Sequence, residues 1–207
     1  MQIRSTTEKI VYDIETAKQI EAIETQFREI CYKWNEWKAL FSEPFEHLPI
    51  VVNTTPKFFL HYRECLTLDI LISVSRLFDE ETKYKRVSFY GIKNRLNEKV
   101  AGFTKQLRKL KTKLRPVREF RDNVGAHNSL AHSLKDKKVS DIPFADFDEI
   151  IKEVTQLLNL ITAHLKSNPK SHFRNYYSET TNEGVRKLIK FLSLGLAAHR
   201  KNGLRLQ

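Results

Sequence analysis

Apolar side chains recur along much of this chain at intervals of three and four residues, the period of a helix packed on one face. The clearest run is Ile20, Ile23, Phe27, Ile30, Trp34, Trp37 and Phe41. It forms one apolar stripe against a charged opposite face, and so predicts a long helix that needs a long helical neighbour. The segment SEPFEHLPIVVNTTPK breaks the pattern, with Pro44, Pro49 and Pro56 acting as stops. From about Lys57 to Asp79 the sequence is apolar nearly all round, which predicts a helix at the centre of a bundle. One polar row remains on it, made by Asp69, Ser73 and Arg76.

A third helical stretch begins near Ile92 and carries Leu96, Val100, Phe103, Leu107, Leu110, Leu114 and Val117. Pro116 should kink it or start a new helix, because proline removes a backbone donor and clashes with the preceding turn. Beyond it the stripe resumes with Phe120 and Val124, then reaches His127 and Ala131. Asp146 followed by Glu149 marks a further helix start, and Phe147, Ile150, Val154, Leu157, Ile161 and Leu165 carry that helix to about Lys166. SNPKSHFRNYYSETTNEG reads as loop, and a last helix runs from Val185 to about Arg200. The predicted fold is all-α: an antiparallel helical bundle over residues 1–166, with 167–207 forming a loop and a basic C-terminal helix packed on the bundle.

Composition changes the picture in two ways. A hydrophobic content of 41% over 207 residues is enough for one domain with a proper core and excludes wholesale disorder. A net charge of +11 points to an anionic partner, most often nucleic acid. Cys31 and Cys65 lie far apart, with no zinc-like spacing, which suits free thiols in a reducing compartment. The N-terminal residues lack the apolar stretch of a signal peptide, and no segment reaches the roughly 20 apolar residues of a membrane span. A cytoplasmic protein with no membrane association is expected.

The candidate chemistry lies in REFRDNVGAHNSLAH, residues 118–132. It follows Lys99, Lys105, Arg108, Lys109, Lys111, Lys113, Arg115 and Arg118, with Glu119 the only acid between Lys99 and Arg121. Interleaved with the apolar stripe, these cations must form the exposed face of a core helix, either simply solvated or serving as a phosphate track. Lys109, Lys111, Lys113, Arg115 and Arg118 are the candidates for that track, with Asn123 and Asn128 as further substrate contacts. RNA cleavage without a metal needs a base for the 2′-hydroxyl proton, an acid for the leaving oxygen, and cations to steady charge on phosphorus. Histidine titrates near neutrality, and arginine stays charged and binds two oxygens at once, so His127 and Arg121 suit these roles.

Geometry keeps other readings open. On a continuous helix Arg121 and His127 differ by about 120° in direction and roughly 9 Å in height, too far for a compact pair. A twofold axis at the seam of Val117, Phe120, Val124 and His127, beside the small Gly125 and Ala126, would bring His127 of one chain toward Arg121 of another. A histidine on an apolar seam can equally be a hydrogen-bonded core residue, and Asp122, four residues after Arg118, can be a helical ion pair. The spacing alone is unspecific.

FRDNVGAH resembles the signature of the HEPN superfamily: an arginine, usually a polar neighbour, and a histidine four to six residues on. Arg121, Asp122 and His127 occupy those places. LDILISVSRLFDEET, residues 68–82, is similar to the Arg-Leu-Phe-Asp helix end of the abortive-infection AbiU-type branch. That branch also carries an Arg-Asp-Lys version of the motif, where this chain has Asn123. The resemblance covers about residues 15–166 and implies a bundle that dimerises through the motif helix to build a composite cleft. Many members are metal-independent RNases, often toxins of phage defence with an antitoxin protein as partner; others bind RNA or protein without cleaving. By this resemblance Arg121 and His127 carry catalysis, Asp122 and Asn123 orient them or the substrate, and Arg76 and Asp79 buttress the motif helix. No metal or cofactor is implied.

Overall fold

The computed structural model describes residues 13–41, 48–80, 87–96, 100–122, 147–163 and 183–201. Among these residues the only regular structure is helical. Helix α1 spans Ile14–Phe41. Asp13 caps its start, its carboxylate accepting from the Thr16 N–H and the Thr16 hydroxyl, both at 2.8 Å. The predicted stripe is the buried one: Ile20, Ile23, Phe27, Ile30 and Trp34 lie in the core, while Trp37 and Phe41 are half-buried at its edge.

The neighbour this stripe demands is α3, Pro56–Arg76, which begins with a proline where a missing N–H costs nothing. Polar groups fix the pairing of the two helices. The Trp37 indole N–H donates to Thr67 Oγ1 at 3.0 Å, the Tyr62 hydroxyl donates to Glu36 at 2.6 Å, and Lys33 meets Asp69 at 2.7 Å. The second half of α3 is as central as its composition predicts, with Ile70, Leu71 and Val74 fully buried. Its first turns are not: Phe58 is 61% and Leu60 51% exposed. Only Phe59 is buried there, in a separate small cluster at the far end of α1.

That cluster joins Leu40, Val51, Phe59, Val185 and Ile189. It exists because a short helix, α2 (Leu48–Thr54), forms inside the stretch whose prolines read as stops. Pro49 falls in the first turn of α2, where proline is tolerated. The last helix, α8 (Glu183–Lys201), packs on α2 through Val185 and Ile189.

The expected continuous helix from Ile92 is two helices, α4 (Phe89–Leu96) and α5 (Phe103–Lys113). Gly102, in the left-handed conformation at φ +82°, separates them. The apolar period runs through the break because Val100 is buried there without being helical. Pro116 starts a new helix, α6 (Arg115–Phe120), at a bend centred on Leu114. Helix α7 (Phe147–Ala163) buries Phe147, Ile150, Val154, Leu157 and Ile161 as the stripe predicts and packs along α5. Its start is tied to α1: Phe147 lies 4.7 Å from the Trp34 ring, and the Trp34 indole donates to Asp148 at 2.7 Å. Asp146, Leu165 and Lys166 lie outside the described residues.

Candidate active site

Two elements meet at the site. Just past the end of α3, Leu77 and Phe78 are fully buried, and this anchors the following Asp79 inside the protein. The Ser88 hydroxyl donates to the Asp79 carbonyl at 2.8 Å and accepts the Gly91 N–H at 3.1 Å, so the residue that caps α4 also holds Asp79. From the other side, buried Val117 and Phe120 set α6 against α3, and Arg121 follows on a wider, π-type turn. Such turns insert a residue into the helical ladder and re-aim the side chains beyond it.

Arg121 crosses to α3. Its Nη1 donates to Asp79 Oδ1 at 2.6 Å and to Ser75 Oγ at 3.2 Å. On its outer edge Nε donates to Asp122 Oδ1 at 2.9 Å, and Nη2 lies 2.8 Å from the same oxygen. Burial alone would lower the Arg121 pKa, but hydrogen bonds to Asp79 and Asp122 and their negative charge more than offset it and hold it above the ordinary arginine value. The guanidinium is therefore permanently charged, fixed in direction, and 17% exposed. Of its five N–H donors three make the described hydrogen bonds, and the two on Nη2, which is in ion-pair contact with Asp122, are the ones an incoming oxygen can engage. A phosphate would be steadied there without any reorganisation of the arginine.

The other expected site residues separate into groups. Asp122 turns to Arg121, not to Arg118, and stays exposed. Arg76 is exposed at the end of α3 and takes no part in the Arg121–Asp79 contact. His127, Asn123 and Asn128 lie outside the described residues. Ser75 and Ser88 are additions that the sequence reading missed; Ser75, in the last turn of α3, accepts from the same Arg121 nitrogen as Asp79 just beyond the helix end.

The basic run is not one solvated face. Lys109 Nζ lies 3.0 Å from Glu153 Oε1, and Lys113 Nζ lies 2.6 Å from Glu149 and 3.4 Å from Glu153. These two lysines, four apart on α5, fasten to two acids four apart on α7. Desolvation would lower the Lys113 pKa, yet the two carboxylates raise it above the usual lysine value, and Lys113 in turn holds Glu149 below the usual glutamate value. The signal was present in the sequence, in matched spacings of opposite charge on two predicted helices. Lys111 turns the other way, pairs with Glu80 and sits 5.0 Å over the Tyr90 ring. Arg115 pairs with Glu119 at 3.0 Å. Lys111, Arg115 and Arg118, with Thr112, Glu119 and Asp122, line an open groove of about 370 Å³ beside Arg121.

Among the described residues no cluster of three or more His, Cys, Asp or Glu side chains is placed to hold a metal ion. No helix among them is long and apolar enough to cross a membrane. The model of the HEPN family AbiU2 matches residues 13–183, from the cap of α1 to the first residue of α8. No curated protein and no solved structure matches the chain.

Proposed function

This chain belongs to the AbiU2 family of HEPN proteins, and from that premise we propose that it is a metal-independent endoribonuclease acting at Arg121 and His127. The observation that carries the reading is the Arg121 guanidinium, held charged and directed by Asp79, a residue only 7% exposed. In the reaction the ribose 2′-oxygen loses its proton to a base and attacks the adjacent phosphorus. The bond from phosphorus to the 5′-oxygen breaks, and that oxygen takes up a proton. The products are a 2′,3′-cyclic phosphate and a 5′-hydroxyl. His127 serves the proton transfers, and Arg121 neutralises charge gathering on the non-bridging oxygens. Two copies meeting through the motif helix would supply the pair, since on a continuous helix the two residues would lie too far apart to form it within one chain. Family membership supports extending this reading to a toxin of phage defence, with cellular or phage RNA as the target.

The test is cleavage of total RNA in EDTA by the wild type, Arg121→Ala and His127→Ala. Fragments with cyclic-phosphate ends, lost in both variants, are expected. Arg121→Lys should retain little activity, because an ammonium cannot span Asp79, Ser75 and Asp122 at once. A second reading, RNA binding without cleavage, draws on the same geometry: Arg121 spends three of its five donors in hydrogen bonds inside the protein and its Nη2 in an ion pair with Asp122. Intact RNA that still binds in a salt-sensitive way would select it.

A further inference from the structure

The groove beside Arg121 differs in kind from the lysine–glutamate ladder on the other side of α5. Lys113 is held by two carboxylates, one of them on a side chain only 8% exposed. The acids that meet the groove cations are surface groups: Glu80 and Glu119 are each 57% exposed. Exposed pairs of this sort contribute about 1 kcal/mol or less, so a stronger anion displaces them at little cost. Arg118 adds a further cation, and its Nε is shielded from solvent with no hydrogen-bond partner among the described residues. None of the described residues lining the groove is aromatic. The chemistry on offer is charge and N–H donors, which recognise phosphate rather than nucleobase. Asp122 belongs both to this groove and to the Arg121 contact, so a strand lying in the groove leads directly to the arginine.

We propose that this groove is a phosphodiester subsite for single-stranded RNA reaching Arg121, reading backbone charge and not base identity, with Glu80 and Glu119 occupying Lys111 and Arg115 until the strand displaces them. The substrate class rests on the nuclease reading above, whereas the binding itself does not require cleavage. On this account only one side of the basic run serves RNA. Lys109 and Lys113 fasten helices.

The experiment is fluorescence anisotropy of labelled 2′-O-methyl decaribonucleotides in EDTA across a salt series. Their blocked 2′-oxygen keeps them intact, and oligomers of uridine, adenosine and mixed sequence test base identity. Arg115→Gln and Arg118→Gln should each weaken binding about tenfold. Each should also reduce the slope of log affinity against log salt by about 0.7. Arg115 is 77% exposed, so its variant reports on binding even where Arg118→Gln loosens the fold. Glu80→Gln and Glu119→Gln should tighten binding severalfold, and Lys109→Gln should leave it unchanged. The proposal is overturned if Lys109→Gln weakens binding as much as Arg115→Gln, if the glutamate variants weaken it, or if affinity follows base composition. Uncut RNA with the expected binding pattern would sink the nuclease and spare the subsite. Cleavage that depends on Arg121 while binding ignores the groove variants would do the reverse.

Discussion

Two carboxylates are sunk to almost the same depth in this protein and do different work. Asp79 is 7% and Glu153 6% exposed. Asp79 faces a guanidinium that is itself 17% exposed and locked by Ser75 and Asp122. Glu153 faces two lysines, one of them 70% exposed, and its second oxygen has no partner among the described residues. The first acid holds a cation in place and aims it. The second is a fastening between α5 and α7 whose cations can return to water. Depth of burial does not separate the two; the surroundings of the cation do.

The comparison is most readily broken at Asp79. Asp79→Ala leaves a mostly buried guanidinium without its main partner, and should cost about 3–5 kcal/mol in urea unfolding. A loss under 1 kcal/mol would show that Arg121 escapes to solvent and is not fixed as described. At Glu153 the same class of change should do far less. Glu153→Met removes an incompletely satisfied charge and fills the space, so its stability should stay within about 1 kcal/mol of wild type or rise. Acid titration probes the fastening next. Glu149 is held below its ordinary value of 4.5, so its contribution is complete above about pH 4.5 and is lost as pH falls through the folded value. The part of the stability that comes from this acid should be constant from neutrality to about pH 5 and then decline, and that decline should vanish in Glu149→Gln. Smallest of all, Arg115→Gln should change stability by less than about 0.5 kcal/mol, since its pair with Glu119 is fully at the surface.

How far the sequence carried depends on element length and on separation along the chain. Helices α1 and α7 were legible because their stripes persist over 28 and 17 residues. Helix α2 has only seven residues and three prolines in and around it, too little for a period to register. The break before α5 was hidden because Val100 keeps the apolar spacing while Gly102 alone carries the unusual backbone. At the site, Arg121 and Asp79 were named separately from the residues and the family resemblance. Their contact spans 42 positions, and no local pattern encodes it. The lysine–glutamate pairs stay hidden because matched spacings on two helices become pairs only once it is known that those two helices pack together.

The small cluster of Leu40, Val51, Phe59, Val185 and Ile189 also orders events in time. Asp79 and Arg121 are both synthesised well before α8, so their contact can form while the chain is still growing on the ribosome. The cluster cannot close until Val185 and Ile189 have emerged. Until then Leu40, Val51 and Phe59 lack the cover that α8 brings, so the far end of α1 is the last part of the described core to be completed.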